Sequence, residues 1–110
     1  MNEVILIGRL AKDAELKFTS REGKSVATFT LAVERKISSK KGERETDFIN
    51  CVAWDKAAEV VSQYSSQGRL LSVSGRLKTR SFIDKERIKR YVIEVICNEI
   101  NIVEGSNSAG

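Results

Sequence analysis

The sequence predicts an all-β barrel of five strands with one short helix after the third. Three observations carry that prediction. Most of the chain alternates apolar and polar residues with a period of two, one ten-residue stretch breaks to a helical period, and 110 residues leave room for a single domain.

Taken in order, Val4-Ile5-Leu6-Ile7 is a continuous apolar strand, closed by Gly8. Residues 26–33 alternate, with Ala27, Phe29, Leu31 and Val33 on one face and Val26, Thr28, Thr30 and Ala32 on the other. The third strand runs from Phe48 to Trp54. In the stretch that follows, Ala57, Val60, Val61 and Tyr64 form an i, i+3, i+4, i+7 stripe, with Asp55 placed as N-cap and Gly68 near the stop. Leu70 to Phe82 is a long fourth strand and Tyr91 to Cys97 a fifth, with residues 99–103 as a candidate extension. The domain is expected to occupy residues 1–104, and the small-residue stretch 105–110 to be a disordered tail. Five strands with a helix after the third is the order of an OB-fold barrel, whose strand 2–3 face and loops 1–2 and 4–5 take oligonucleotides or oligosaccharides.

Composition narrows the chemistry. The chain has no histidine, which removes Ser-His-Asp, Cys-His and His-Glu-x-x-His sites together. Cys51 and Cys97 stand 46 residues apart without metal or redox spacing, so they read as buried apolar residues in a reduced compartment. No cofactor or metal is called for. No apolar run approaches the ~20 residues of a membrane span. Met1-Asn2-Glu3 leads straight into the first strand with no basic leader, so a soluble cytoplasmic protein is expected.

The formal net charge of +4 is modest, but it is segregated. Residues 35–44 hold five cations (Arg35, Lys36, Lys40, Lys41 and Arg44) against one acid. Residues 69–90 hold eight, including Arg76, Lys78, Arg80, Lys85, Arg87, Lys89 and Arg90, against two acids. Both segments fall on or beside loops of the expected barrel.

Parity along the strands then decides which residues share a face. In the third strand Ile49, Cys51 and Ala53 suit a narrow interior, which turns Phe48 and Trp54 outward, about 20 Å apart. The opposite assignment, rings inward and Cys51 outward, stays open at this point. In the fourth strand Leu71, Val73, Gly75 and Leu77 face the barrel, while Arg76, Lys78, Arg80 and Phe82 share the other side. Three cations on one strand face cannot be buried without partners. That face is wet or meets an anion, and its order describes a phosphate comb ending in a stacking ring.

These blocks resemble a known family. Val4-Ile-Leu-Ile-Gly-Arg-Leu10, Val26-Ala-Thr-Phe-Thr-Leu-Ala-Val33, Thr46-Asp-Phe-Ile-Asn-Cys-Val-Ala-Trp54, Ala58-Glu-Val-Val-Ser-Gln-Tyr64 and Gly75-Arg-Leu-Lys-Thr-Arg80 are similar, in that order, to the bacterial single-stranded DNA-binding proteins. The resemblance covers roughly residues 1–103. It implies an OB-fold, a homotetramer, and sequence-tolerant binding of single-stranded DNA in replication, recombination and repair, in the cytoplasm at the nucleoid. It also implies base stacking on Phe48, Trp54 and Phe82, and basic contacts from Lys56, Lys78 and Arg80. Two features depart from the family pattern. Lys36 and Ile37 occupy a region where another stacking aromatic is common, which implies one station fewer and Lys36 as a phosphate contact. The chain also stops at Gly110 without the usual linker and acidic tip, which leaves recruitment of replication and repair proteins through a tail open.

The reading is therefore a non-catalytic binder in which Arg35, Lys36, Lys56, Arg76, Lys78, Arg80, Lys85, Arg87 and Lys89 screen phosphates around three stacking rings. The alternative is a replication-restart (primosomal) accessory of related fold. A metal-dependent nuclease lacks a carboxylate cluster among the cations, and an oligosaccharide module is disfavoured by those same cations.

Overall fold

A computed structural model describes residues 1–19, 22–35, 45–64 and 66–103. The elements run β1 (Val4–Leu10), β2 (Glu15–Phe18), β3 (Ser25–Glu34), β4 (Thr46–Trp54), α1 (Asp55–Gln63), β5 (Leu70–Ile83) and β6 (Lys89–Ile102). The sheet order is β1-β5-β6-β4-β3-β2, and a further β1–β3 pairing closes a ring of five strands. Every ladder is antiparallel except β4–β6, so the chain must cross over between those two, through α1 and β5. The barrel, with α1 between the third and fourth ring strands, matches the fold expected.

The small residues of β4 explain why this barrel closes so tightly. Cys51 and Ala53 pair in register with Phe29 and Ala27 of β3, and all four are buried. Leu10, Leu31, Leu71, Val73, Val95 and Ile100 complete the interior. One end of it is covered by α1, which buries Ala57, Ala58 and Val61. Among the described residues no helix is long and apolar enough to cross a membrane.

Several boundaries differ from expectation for physical reasons. Gly8 does not close β1, which runs on to Leu10. A Cβ there would lie 2.5 Å from the Ala32 carbonyl oxygen, so glycine permits a close backbone approach inside the strand. Strand β2 is additional to the expected five: it pairs with β3 outside the ring, and all four of its residues are exposed. Asp55 is not the N-cap. Trp54 holds that position in extended conformation with no side-chain cap, and Asp55 opens the helix at φ 53°. Its carbonyl accepts a 3.4 Å hydrogen bond from the Ser25 hydroxyl.

Leu77 is not interior either, being 48% exposed. The β1–β5 ladder ends at Val4↔Gly75, beside a register shift between Ser74 and Gly75, and beyond it β5 pairs with β6 alone. The two strands leave the barrel there as a projecting hairpin. Residues 99–102 do extend β6. The expected tail at 105–110 and most of the basic β3–β4 connection lie outside the described residues.

Candidate nucleic-acid interface

Cross-strand registers assemble one outward face from five strands. On β4 it carries Phe48, Asn50, Val52 and Trp54, which stand opposite Ala32, Thr30, Thr28 and Val26 of β3. The parallel ladder sets Val52 beside Ile96 of β6, and Ile96 stands opposite Arg76 of β5. From there the face continues outward along the hairpin as Lys78 opposite Glu94, Arg80 opposite Val92, and Phe82 opposite Arg90. At the other edge, Lys17 of β2 lies opposite Val26, in the same row as Trp54.

The three rings are exposed: Phe48 by 66%, Trp54 by 41% and Phe82 by 45%. The inward-ring alternative is thereby removed, because Cys51 and Ala53 fill the interior. Arg76, Lys78 and Arg80 are exposed on the same surface. Lys56 is exposed on the first turn of α1, two residues beyond Trp54.

Two of the expected cations, Arg35 and Lys89, sit differently. Arg35 is held by acids: Nε and Nη2 donate to Asp47 at 3.0 and 2.8 Å, and Nη1 to Glu45 at 2.7 Å. Hydrogen bonding to Asp47 raises the guanidinium's pKa, and the same bond lowers that of Asp47. With the Arg35 N–H donating to the Glu45 carbonyl oxygen at 2.8 Å, this cluster ties the neck of the β3–β4 connection. Lys36 lies outside the described residues. Lys85 and Arg87 occupy the short turn between β5 and β6. There Asp84 accepts from the Glu86 and Ile88 N–H groups at 2.8 and 2.9 Å and from Arg90 Nε at 2.7 Å. The backbone bond from Ile88 is the largest cause of the lowered Asp84 pKa, with Arg90 next. Lys89 pairs with Ile83 and reaches over the Tyr91 ring at 5.6 Å, which places it on the hairpin side opposite Phe82.

Parity in the fourth strand could not reveal the partners of its cations. Arg80 Nε donates to Glu94 Oε1 at 3.3 Å, so the middle of the comb holds an acid. Lys17 was missed because β2 has no buried face and so no alternating pattern. Alternation in the fifth strand, with Val92, Glu94 and Ile96 on one side, was the available signal for Glu94. The thiols of Cys51 and Cys97 are free and buried. A hydrogen bond with Cys97, together with burial, pushes the Cys51 thiol pKa up, which makes it a poor nucleophile.

A model of the single-strand binding protein family matches residues 1–103. The chain belongs to that family. Within it, the chain is 50% identical over 108 residues to single-stranded DNA-binding protein 3 of Clostridium acetobutylicum, covering 98% of this chain and 74% of that protein. The single-stranded DNA-binding protein of Clostridium tetani is also 50% identical, over 107 residues, with 97% and 73% covered. That of Bacillus cereus is 48% identical over 110 residues, the whole of this chain and 64% of the relative. The family match spans every strand of the barrel and both arms of the hairpin, so the whole face described above lies within it.

Proposed function

We propose that this chain binds single-stranded DNA without marked sequence preference and performs no catalysis, protecting exposed strands in replication, recombination and repair. The supporting observation is the single face on which Phe48, Trp54 and Phe82 stand exposed alongside Arg76, Lys78 and Arg80. Bases stack on the three rings, each contributing on the order of 1–3 kcal/mol, and any base serves because every base has a π-face. Lys56, Lys78 and Arg76 neutralise phosphates, with Lys36, Lys85 and Arg87 as outer contacts. Arg35 acts mainly by holding the neck of the β3–β4 connection. Residues 1–104 form the binding unit and residues 105–110 a tail, in a cytoplasmic protein located at the nucleoid.

The chain works as a homo-oligomer, with a tetramer as the proposed state. Ile5 and Ile7 stand 76% and 56% exposed on β1, and Leu77, Ile83, Tyr91 and Ile93 are exposed on the hairpin side away from Phe82. Apolar groups collected this way on a small domain favour a partner surface. Trp54 is the only tryptophan and reports directly on stacking. Titration with oligo-dT is expected to quench its fluorescence strongly, less so at high salt, whereas duplex DNA leaves it nearly unchanged. Oligo-dT binding at full affinity with no change in Trp54 emission would remove the central stacking station.

A further inference from the structure

Glu94 is the buried acid on a surface that gathers mostly cations. It is only 9% exposed, yet it faces outward opposite Lys78. It lines a cleft of about 260 Å³ with Lys12, Glu15, Thr28, Thr30, Asn50 and Arg80. Arg80 meets Oε1, and no other hydrogen bond to the carboxylate is made among the described residues.

A carboxylate in this place repels phosphate, so a base edge is the part of a strand that fits the cleft. The register supplies the geometry. Asn50 and Glu94 each directly precede the pair Cys51↔Val95, and Asn50 is opposite Thr30. Lys78, Glu94, Asn50 and Thr30 therefore form one polar row across three ladders. Phe48 stands two residues from Asn50 on the same face, about 7 Å along the strand. A base stacked on Phe48 turns its hydrogen-bonding edge over that row.

The free carboxylate oxygen can only accept. Cytosine, adenine and guanine each offer an exocyclic amino group as donor, whereas thymine offers only its ring N3–H, set between two carbonyl oxygens that the carboxylate repels. We infer that the Glu94 cleft is a base-edge subsite that favours amino-bearing bases over thymine. This rests on the proposed binding of single-stranded DNA and adds one local preference to otherwise tolerant stacking.

The test compares oligo-dT, oligo-dC and oligo-dA of one length, at matched salt and mildly alkaline pH, for the intact chain and for Glu94→Gln. The glutamine keeps the shape and an oxygen for Arg80 but turns an amide donor into the cleft. The dC:dT and dA:dT affinity ratios are expected to fall by about fivefold in the variant, the low end of discrimination by a good base contact. A uniform gain in affinity from removing a negative charge leaves those ratios untouched. Asn50→Ala, at an exposed position, reads the same ratios from the neighbouring side chain and is expected to lower them too. Unchanged ratios with all three oligonucleotides bound would mean that Glu94 merely holds Arg80, and would overturn the subsite. Failure of the intact chain to bind any of the three would overturn the single-strand reading, and the subsite with it.

Discussion

Phe82 is the residue whose placement depends most on its neighbours. Its backbone pairs with Arg90, whose guanidinium is tied to Asp84, so the ring rides on a hairpin end held by hydrogen bonds rather than by a core. Replacing Phe82 with alanine is expected to weaken binding of oligo-dT by about 1–3 kcal/mol with little loss of stability, since the ring is 45% exposed. Anisotropy titrations paired with thermal melts would separate the two effects. The outward turn of Phe48 and Trp54 was legible in the sequence because Ile49, Cys51 and Ala53 left only one face small enough for a narrow interior. The fate of Arg35 was not legible. Its partners Glu45 and Asp47 lie across a connection, and strand parity says nothing about which charges meet there. Lys89 was misplaced for a related reason: the turn is shorter than expected, and Lys89 belongs to β6, where alternation sends it to the face away from Phe82.

At the scale of elements, β5 performs two jobs along one strand. Its first half is barrel wall and its second half is arm, with Gly75 at the join. A Cβ at Gly75 would lie 2.0 Å from the Ile96 carbonyl oxygen, a backbone atom that cannot yield as a side-chain tip would. Gly75→Ala is therefore expected to cost about 1–3 kcal/mol of stability, read as a lower midpoint in urea. Alternation set this glycine on the barrel face but did not reveal the departure of the strand from the barrel, which depends on where the β1–β5 ladder runs out. Strand β2 was invisible for want of a buried face. The arm's turn carries a pH dependence. Asp84 holds a pKa below its ordinary 3.8, chiefly through the Ile88 N–H and then through Arg90. Its contribution is complete above about pH 4 and is lost as pH falls through the lowered folded value. Hydrogen exchange at the Ile88 amide is expected to speed up on acidification beyond the intrinsic pH effect. Asp84→Asn is expected to flatten that excess.

The whole molecule exposes apolar surface in two places that the binding face does not use. On β1, Ile5 and Ile7 belong to a segment, Val4–Ile7, that pairs with β5 on one side, whereas the β3 pairing of β1 is confined to Arg9 and Leu10. A second copy can cover both the apolar face and the open strand edge. Ile7→Glu is expected to lower the sedimentation coefficient of the oligomer while leaving the circular dichroism of the barrel intact. An unchanged sedimentation profile would place the contact elsewhere. The fold class was legible at this scale because the sole break in the period-two pattern was also the helix that carries the chain across the barrel.

The two thiols lie on β4 and β6, at the only parallel seam of the ring. Both point into the interior, 1% and 6% exposed, so an alkylating reagent reaches them only when that seam parts. Their modification rate is therefore a clock for barrel opening: where reclosing is fast it reports the population of the open form, and where alkylation is fast it reports the opening rate. Because no other cysteine is present, this clock reads the same seam in every variant described above. It thus separates changes in grip on DNA from changes in the integrity of the barrel.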